Sequence, residues 1–290
     1  MNIQWYPGHM TKTRRMIGEN LKFVDVVAEI IDARIPIASR NPDIDDLVGT
    51  KPRVVVLNRA DQADPAATKL WEAHFRAQGM AVLTCDAHSG AGVKQFSPVM
   101  RGALKEQIAK WREKGQVGRP VRAMVVGIPN VGKSTFINKV AGRKSAKAQN
   151  RPGVTRGKQW ITVDNGLELL DTPGILWPKF EDQSVGLNLA FTGAVKDDIM
   201  DLETLASHLM KVLAERYPDA IQGRYKIEIP DQFTEWELLE AAGRKRGFLI
   251  SGGEVDTERM SRILLEEYRS GKLGRFTLEA PDDQKGGDGK

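Results

Sequence analysis

The sequence predicts an α/β fold on an open parallel sheet, followed by a smaller helical domain. Three observations carry that prediction. Gly127-Ile-Pro-Asn-Val-Gly132-Lys133-Ser134 fits the phosphate-loop pattern G-x-x-x-x-G-K-[ST] directly after the apolar run Val121–Val126. Further β-branched runs at Val24–Ile31, Arg53–Leu57 and Met80–Thr84 alternate with segments of helical pattern, the signature of a parallel sheet. Near the C-terminus, Leu202, Leu205, Ala206, Leu209, Val212 and Leu213 recur at helical spacing.

The whole chain sets the frame for these motifs. At 290 residues, with 41% hydrophobic and 28% charged residues, it has the composition of a soluble globular protein with room for two domains. No stretch approaches the roughly 20 apolar residues needed to cross a bilayer. Trp5-Tyr6-Pro7-Gly8-His9 interrupts the first thirty residues, which lack the order of a secretion signal. The lone Cys85 excludes an internal disulfide and suits a reducing cytoplasm. The net charge of +5 is unevenly spread: Arg101–Lys158 carries 15 Lys and Arg against Glu106 and Glu113, an excess of +13 beside a remainder of −8. A basic fifth of the chain beside an acidic remainder suits a polyanion partner, although a solvated basic helix reads the same way.

The phosphate loop has a direct chemical reading. Glycines let the backbone wrap a polyphosphate while the N–H groups of Asn130, Val131, Gly132, Lys133, Ser134 and Thr135 face its oxygens. Lys133 supplies a charge for the outer phosphates, Ser134 a hydroxyl for Mg²⁺, and Ser134–Ala141 a helix whose positive end faces the anion.

From the N-terminus, Pro7-Gly8 marks a turn and Thr11 can cap a helix running to about Phe23. His9 stands in that turn rather than on an apolar face. The strand Val24–Ile31 ends in Asp32-Ala-Arg34-Ile-Pro36, and Pro42–Val48 reads as a short helix. Arg53–Leu57 delivers Asn58-Arg59-Ala60-Asp61 at its carboxyl end, where ligands sit in such sheets. That tetrapeptide resembles the N-K-x-D guanine motif of GTPases: Asp61 accepts the ring N–H and the amino group, Asn58 tethers neighbouring loops, and the Arg59 stem covers the purine. After the helix Pro65–Gln78 and the strand Met80–Thr84, Asp86-Ala87-His88-Ser89-Gly90 resembles the S-A-K-x-G loop whose amides meet the guanine oxygen. Val93–Arg112 is expected as one long helix and Glu113–Pro120 as a linker.

Beyond the phosphate loop, Arg143–Arg156 is basic and rich in Gly, Pro and polar residues, and Thr155 resembles the switch threonine over Mg²⁺ and the γ-phosphate. Lys158–Val163 and Leu167–Leu170 pair about Asp164-Asn-Gly166. Asp171-Thr-Pro-Gly174 resembles D-x-x-G, in which Asp171 holds Mg²⁺ through water and the Gly174 amide senses the γ-phosphate.

The order of these motifs is unusual, because the two guanine motifs precede the phosphate loop. The set is complete but rotated, with Glu113–Pro120 joining the usual last helix to the usual first strand. With Trp5-Tyr6-Pro7-Gly8-His9-Met10 and Asp171-Thr-Pro-Gly-Ile175, it resembles the circularly permuted GTPases of the RbgA/YlqF family, which assemble the bacterial large ribosomal subunit. The resemblance implies a circularly permuted P-loop GTPase domain over residues 1–177, a helical RNA- or ribosome-binding domain over 178–280 and a disordered tail over 281–290. It implies GTP and GDP as ligands and the large-subunit precursor and its rRNA as partners. It also implies a monomer in the cytoplasm, away from membranes.

Ile175 stands where many GTPases place a water-orienting Gln, so the resemblance gives that help to His9, with Thr155 the second catalytic residue. Asn130 resembles the asparagine of K⁺-activated GTPases. A nucleotide-gated RNA-binding module with incidental hydrolysis is the alternative; an ATP-dependent kinase or ATPase on the same loop is disfavoured by Asp61.

Overall fold

The computed structural model describes residues 10–142, 160–164, 166–171, 183–195 and 201–282. They form two compact units. One holds the described part of Gln4–Lys179 together with the residues from Glu279 on, and the other the described part of Phe180–Leu278.

In the first unit the helix α1 (Met10–Leu21) leads into β1 (Val26–Asp32), which is buried at every position. Its Val, Ile and Ala suit a central parallel strand covered on both faces, and the acids it buries, Glu29 and Asp32, are paired with arginines. The short α2 (Ile44–Val48) precedes β2 (Arg53–Asn58), and α3 (Pro65–Ala77) precedes β3 (Ala81–Thr84). Asp64 caps α3, its carboxylate accepting the Ala66 N–H at 2.7 Å, and Pro65 fills the first turn, where no N–H donor is needed. Trp71 and Phe75 on α3 pack with Ile31, Val55 and Leu57.

The single long helix expected over Val93–Arg112 is not formed. A 3₁₀ turn at Val93–Gln95 leads into α4 (Phe96–Ala103), and α5 (Lys105–Glu113) starts afresh after a break at Leu104. Gly102 weakens the helix there, and Leu104, 1% exposed, leaves helical geometry where its side chain is buried. The following linker is pinned. Arg119 lies 4.1 Å over the Trp111 ring and donates to Asp25 at 2.9 Å, while the other Asp25 oxygen accepts the Arg122 N–H. This linker is where a rotated chain order has to be joined.

The chain then enters β4 (Val121–Val126), α6 (Lys133–Ala141), β5 (Trp160–Asp164) and β6 (Leu167–Asp171). The sheet order is β3-β2-β1-β4-β6-β5, parallel throughout except for the β5–β6 hairpin. Thr11, expected as a cap, lies inside α1.

The second unit is helical: α7 (Gln183–Phe191), α8 (Leu202–Arg216), α9 (Pro218–Tyr225), α10 (Glu235–Lys245) and α11 (Thr257–Arg269). The predicted stripe on α8 is buried at Leu205, Ala206, Leu209 and Leu213. Thr234 and Glu237 form a reciprocal capping box that starts α10, and Asp256 caps α11. The Glu267 carboxylate joins the helices, accepting from Arg224, Arg246 and the Tyr225 hydroxyl. Among the described residues no helix is long and apolar enough to cross a membrane.

The helical unit ends at Leu278, short of the boundary at 280 that the sequence reading places there. Glu279 belongs to the α/β unit: its carboxylate accepts the Ile37 N–H at 2.5 Å and the Ala38 N–H at 3.1 Å, and its carbonyl accepts the Trp71 indole N–H at 3.1 Å. Pro281 and Asp282, expected in the tail, form a short 3₁₀ turn, and residues 283–290 lie outside the described set.

Candidate nucleotide site

The strands of the α/β unit deliver the candidate residues at one edge of the sheet. β2 ends at Asn58, β3 at Thr84 before Asp86, β4 at Val126 before the phosphate loop, and β6 at Asp171. The order in which strands are added reverses between the parallel neighbours β1 and β4, and the crevice beyond the carboxyl ends at such a switch point is where doubly wound folds bind ligands.

Asn58 joins the loops around this crevice. It is 2% exposed; its amide nitrogen donates to the Val131 carbonyl at 2.9 Å, and its oxygen accepts the Ala87 N–H at 3.0 Å. One side chain thus holds the phosphate loop and the loop after β3 in register. The Ala87 amide is engaged by Asn58, so a base oxygen meeting that donor has to share it. The Asp86 carboxylate does not face the crevice as a free group, because it accepts the His88 N–H at 2.8 Å and the Ser89 N–H at 3.0 Å. Burial alone would raise the Asp86 carboxyl, but the hydrogen bonds from Ser89 and His88 outweigh it and hold it below the usual carboxylate range. Asp86 therefore shapes the loop, in the place where the familiar motif has a serine.

Arg59 adopts left-handed backbone geometry (φ 59°), and its guanidinium turns to the phosphate loop, donating to the Asn130 carbonyl at 3.3 Å. Its Nε lies 3.6 Å from Asp32. Burial draws the guanidinium below its ordinary range, while Asp32, Asp61 and Asp86 pull in the opposite sense. Asp61 itself is exposed, leaving its carboxylate accessible to a ligand.

At the phosphate end, Asn130 (φ 61°) and Gly132 (φ 91°) both have left-handed backbone geometry, the kind of turn that aims N–H groups into an anion nest. Gly132 is obligatory on steric grounds as well, since a Cβ there would run into the Asn58 amide nitrogen. Lys133 is buried, whereas Ser134 and Thr135 are exposed on the first turn of α6. The backbone of Asp171 pairs with Val125 on β4. A hydroxyl from Ser134 and a carboxylate from Asp171 are hard oxygen donors, the chemistry Mg²⁺ takes. His9, Thr155 and Gly174 lie outside the described residues.

Two features here escaped the sequence reading. Asp32, at the end of β1, accepts a two-pronged pair from Arg34 at 3.0 and 2.7 Å and the Arg34 N–H at 3.0 Å, while its own N–H donates to Ser39 Oγ. Burial would raise the Asp32 carboxyl, but Arg34, with Arg59 behind it, holds it below the ordinary range. The second is Lys139 on α6, whose ammonium donates to the His88 carbonyl at 3.1 Å. The only advance signal of the first was Asp32-Ala-Arg34 closing a buried strand.

Known proteins resemble this chain over nearly its whole length. A family model described as 50S ribosome-binding GTPase matches residues 122–223. That match begins at the phosphate-loop strand, in mid-chain, and leaves Asn58–Asp61 and Asp86–Gly90 upstream. Ribosome biogenesis GTPase A of Bacillus cereus is 49% identical over 284 residues, 98% of this chain and 95% of the relative. The protein of the same name from Thermotoga maritima is 32% identical over 97% of this chain and 95% of its own. Among solved structures, GDP-bound YlqF of T. maritima superposes with a TM-score of 0.68 at 29% identity, covering 93% of this chain and all of that one. The GNP-bound form gives 0.65 at 30% identity, covering 93% and 99%.

Proposed function

Because this chain belongs to the ribosome biogenesis GTPase A family of circularly permuted GTPases, we propose that it binds and hydrolyses GTP to drive a late step in large-subunit assembly. The observation that carries the reading is the Asn58 bridge. It draws a guanine motif and a phosphate loop into one crevice although the first precedes the second by some seventy residues.

Each residue takes a part that its chemistry suits. Asp61 accepts the guanine N–H and amino group, the Arg59 stem covers the purine, and the loop Asp86–Gly90 meets the 6-oxygen. Amides of Asn130–Thr135 and the Lys133 ammonium hold the phosphates. Ser134, Thr155 and Asp171 are the residues for Mg²⁺, and the Gly174 amide senses the γ-phosphate. When bound, Mg²⁺ neutralises charge on the phosphate oxygens. Asn130 is the residue for K⁺. Ile175 cannot orient water by hydrogen bonding, so hydrolysis is slow until His9 is brought to bear on the subunit.

The protein acts in the cytoplasm, as a monomer, on the precursor particle and its rRNA; the basic segment Arg101–Lys158 supports that choice of partner. Residues 1–177, with the return from Glu279, are read as the catalytic domain and 178–278 as the part that meets RNA, with 283–290 as a tail.

Single-turnover hydrolysis with and without large subunits tests this. Stimulation is expected, weakened by added salt as phosphate contacts are screened. His9→Ala is expected to lower the stimulated rate roughly 10²-fold with nucleotide affinity unchanged. Equal stimulation of both proteins would remove His9 from catalysis. No stimulation of either, with GTP-dependent sedimentation on subunits retained, would favour a nucleotide-gated RNA-binding module.

A further inference from the structure

The structure assigns Lys139 a positioning role: from the phosphate-side helix α6 it fixes the loop that reads position 6 of the guanine base. This rests on the reading of Asp86–Gly90 as the base loop.

Three contacts hold that loop, one from each direction. Asp86 ties it from within through the His88 and Ser89 amides, and Asn58 ties it from below through the Ala87 amide. The third is the Lys139 ammonium, 3.1 Å from the His88 carbonyl, which restrains the His88–Ser89 peptide from rotating. The Lys139 stem crosses directly over Gly90, which has φ 93°, and a Cβ at Gly90 would collide with the Lys139 Cε. The positive φ requires a glycine at 90, whereas a Cβ there would only make the flexible Lys139 stem shift. One helical turn earlier, Phe136 on α6 meets Phe96 edge-on with ring centroids 5.0 Å apart, just beyond the same loop. The helix that starts at the phosphates thus grips the base loop at its tip through Lys139 and at its exit through Phe136.

The chemistry separates this role from that of Asp61. Asp61 reads donors, the ring N–H and the 2-amino group; the loop reads the acceptor at position 6. Loosening the loop should blunt discrimination at position 6 and leave discrimination at position 2 intact. Lys139 is exposed, so its replacement leaves the core untouched.

The test is calorimetric titration of the full-length protein, wild type, Lys139→Met and Lys139→Arg, with GDP, 6-thio-GDP, IDP and ADP. 6-Thio-GDP keeps the ring N–H and the 2-amino group and weakens only the acceptor; IDP lacks only the 2-amino group. Lys139→Met is expected to weaken GDP about three- to tenfold, the size of one charge-assisted hydrogen bond discounted for solvent. It should also narrow the GDP over 6-thio-GDP preference by a similar factor, leave the GDP over IDP ratio unchanged and be rescued by Lys139→Arg. Equal weakening of all guanine analogues, or no weakening, overturns the positioning role while the base site stands. A wild-type protein that fails to prefer GDP over ADP overturns the base-site reading itself and this inference with it.

Discussion

Removing the Asn58 side chain tests the site at its centre. Asn58→Ala strands two buried groups, the Val131 carbonyl and the Ala87 N–H, which residue 58 satisfies at 2.9 and 3.0 Å. Both belong to residues that are 2% exposed, so water cannot replace the lost partner without opening a loop. An unmade bond to a buried polar group costs about 1–3 kcal/mol, which places the total for the two groups at about 2–6 kcal/mol. Against a typical stability of roughly 5–15 kcal/mol, that is a large fraction. Asn58→Asp is the shape-matched control: it keeps an acceptor for Ala87 but turns an oxygen towards the Val131 carbonyl, and should also destabilise. Urea unfolding followed by tryptophan fluorescence, with the denaturant slope unchanged, reads the loss. GDP titration should show a decrease of tenfold or more, because the phosphate and base loops lose their common anchor. A stability change under about 0.5 kcal/mol together with normal GDP affinity would refute the bridge.

Other consequences are open to direct measurement. Asp61→Asn should weaken GTP tenfold or more relative to xanthosine triphosphate, whose ring offers a carbonyl in place of the amino group; an unchanged ratio in a competition titration removes Asp61 from the base site. Burial, with Asp86 and Asp61 nearby, pushes the Cys85 thiol up to about 12, so the native protein should resist iodoacetamide near pH 8 and react only on unfolding. Rapid native alkylation, followed by mass spectrometry, would contradict that burial. In the helical unit, burial alone would raise the Glu267 carboxyl, but Arg224, Tyr225 and Arg246 hold it below the usual range. Its stabilising contribution is therefore present above the unfolded glutamate pKa of about 4.3 and is lost as pH falls through the lower folded value. Glu267→Gln should cost about 1–3 kcal/mol at neutral pH and flatten the acid limb of the stability curve; an acid limb identical to wild type would count against the network.

Much of this was legible because the strands of the α/β unit are compact, largely apolar runs that end at a turn or a chemical motif. Arg53–Leu57 followed by Asn58 announces both the strand and its cargo. In the second unit α8 was readable for a different reason, since Leu205, Ala206, Leu209 and Leu213 are buried at helical spacing. The break at Leu104 was hidden because apolar spacing continues across it, and a single residue leaving helical geometry does not disturb that spacing. Arg59 illustrates a finer limit. Its sequence position matched a guanine motif, but the turn of its guanidinium to the Asn130 carbonyl depends on a left-handed backbone and on Asp32, neither visible in a tetrapeptide. Lys139 was unreadable for a related reason, since its partner is a backbone carbonyl 51 positions away.

The chain leaves the helical unit at Leu278 and rejoins the α/β unit at Glu279. A fragment that stops at residue 177 keeps the nucleotide motifs yet deprives the Ile37 and Ala38 amides and the Trp71 indole of the acceptors they use. Those donors flank the loop that follows Asp32, so deletion of everything downstream acts on the base side of the sheet as a local lesion as well as the loss of a domain. Loss of nucleotide binding in such a fragment therefore says nothing about whether the helices touch the ligand. An excision that splices β6 through a flexible spacer to Glu279, or a short peptide beginning at Glu279 supplied in trans, separates the two effects.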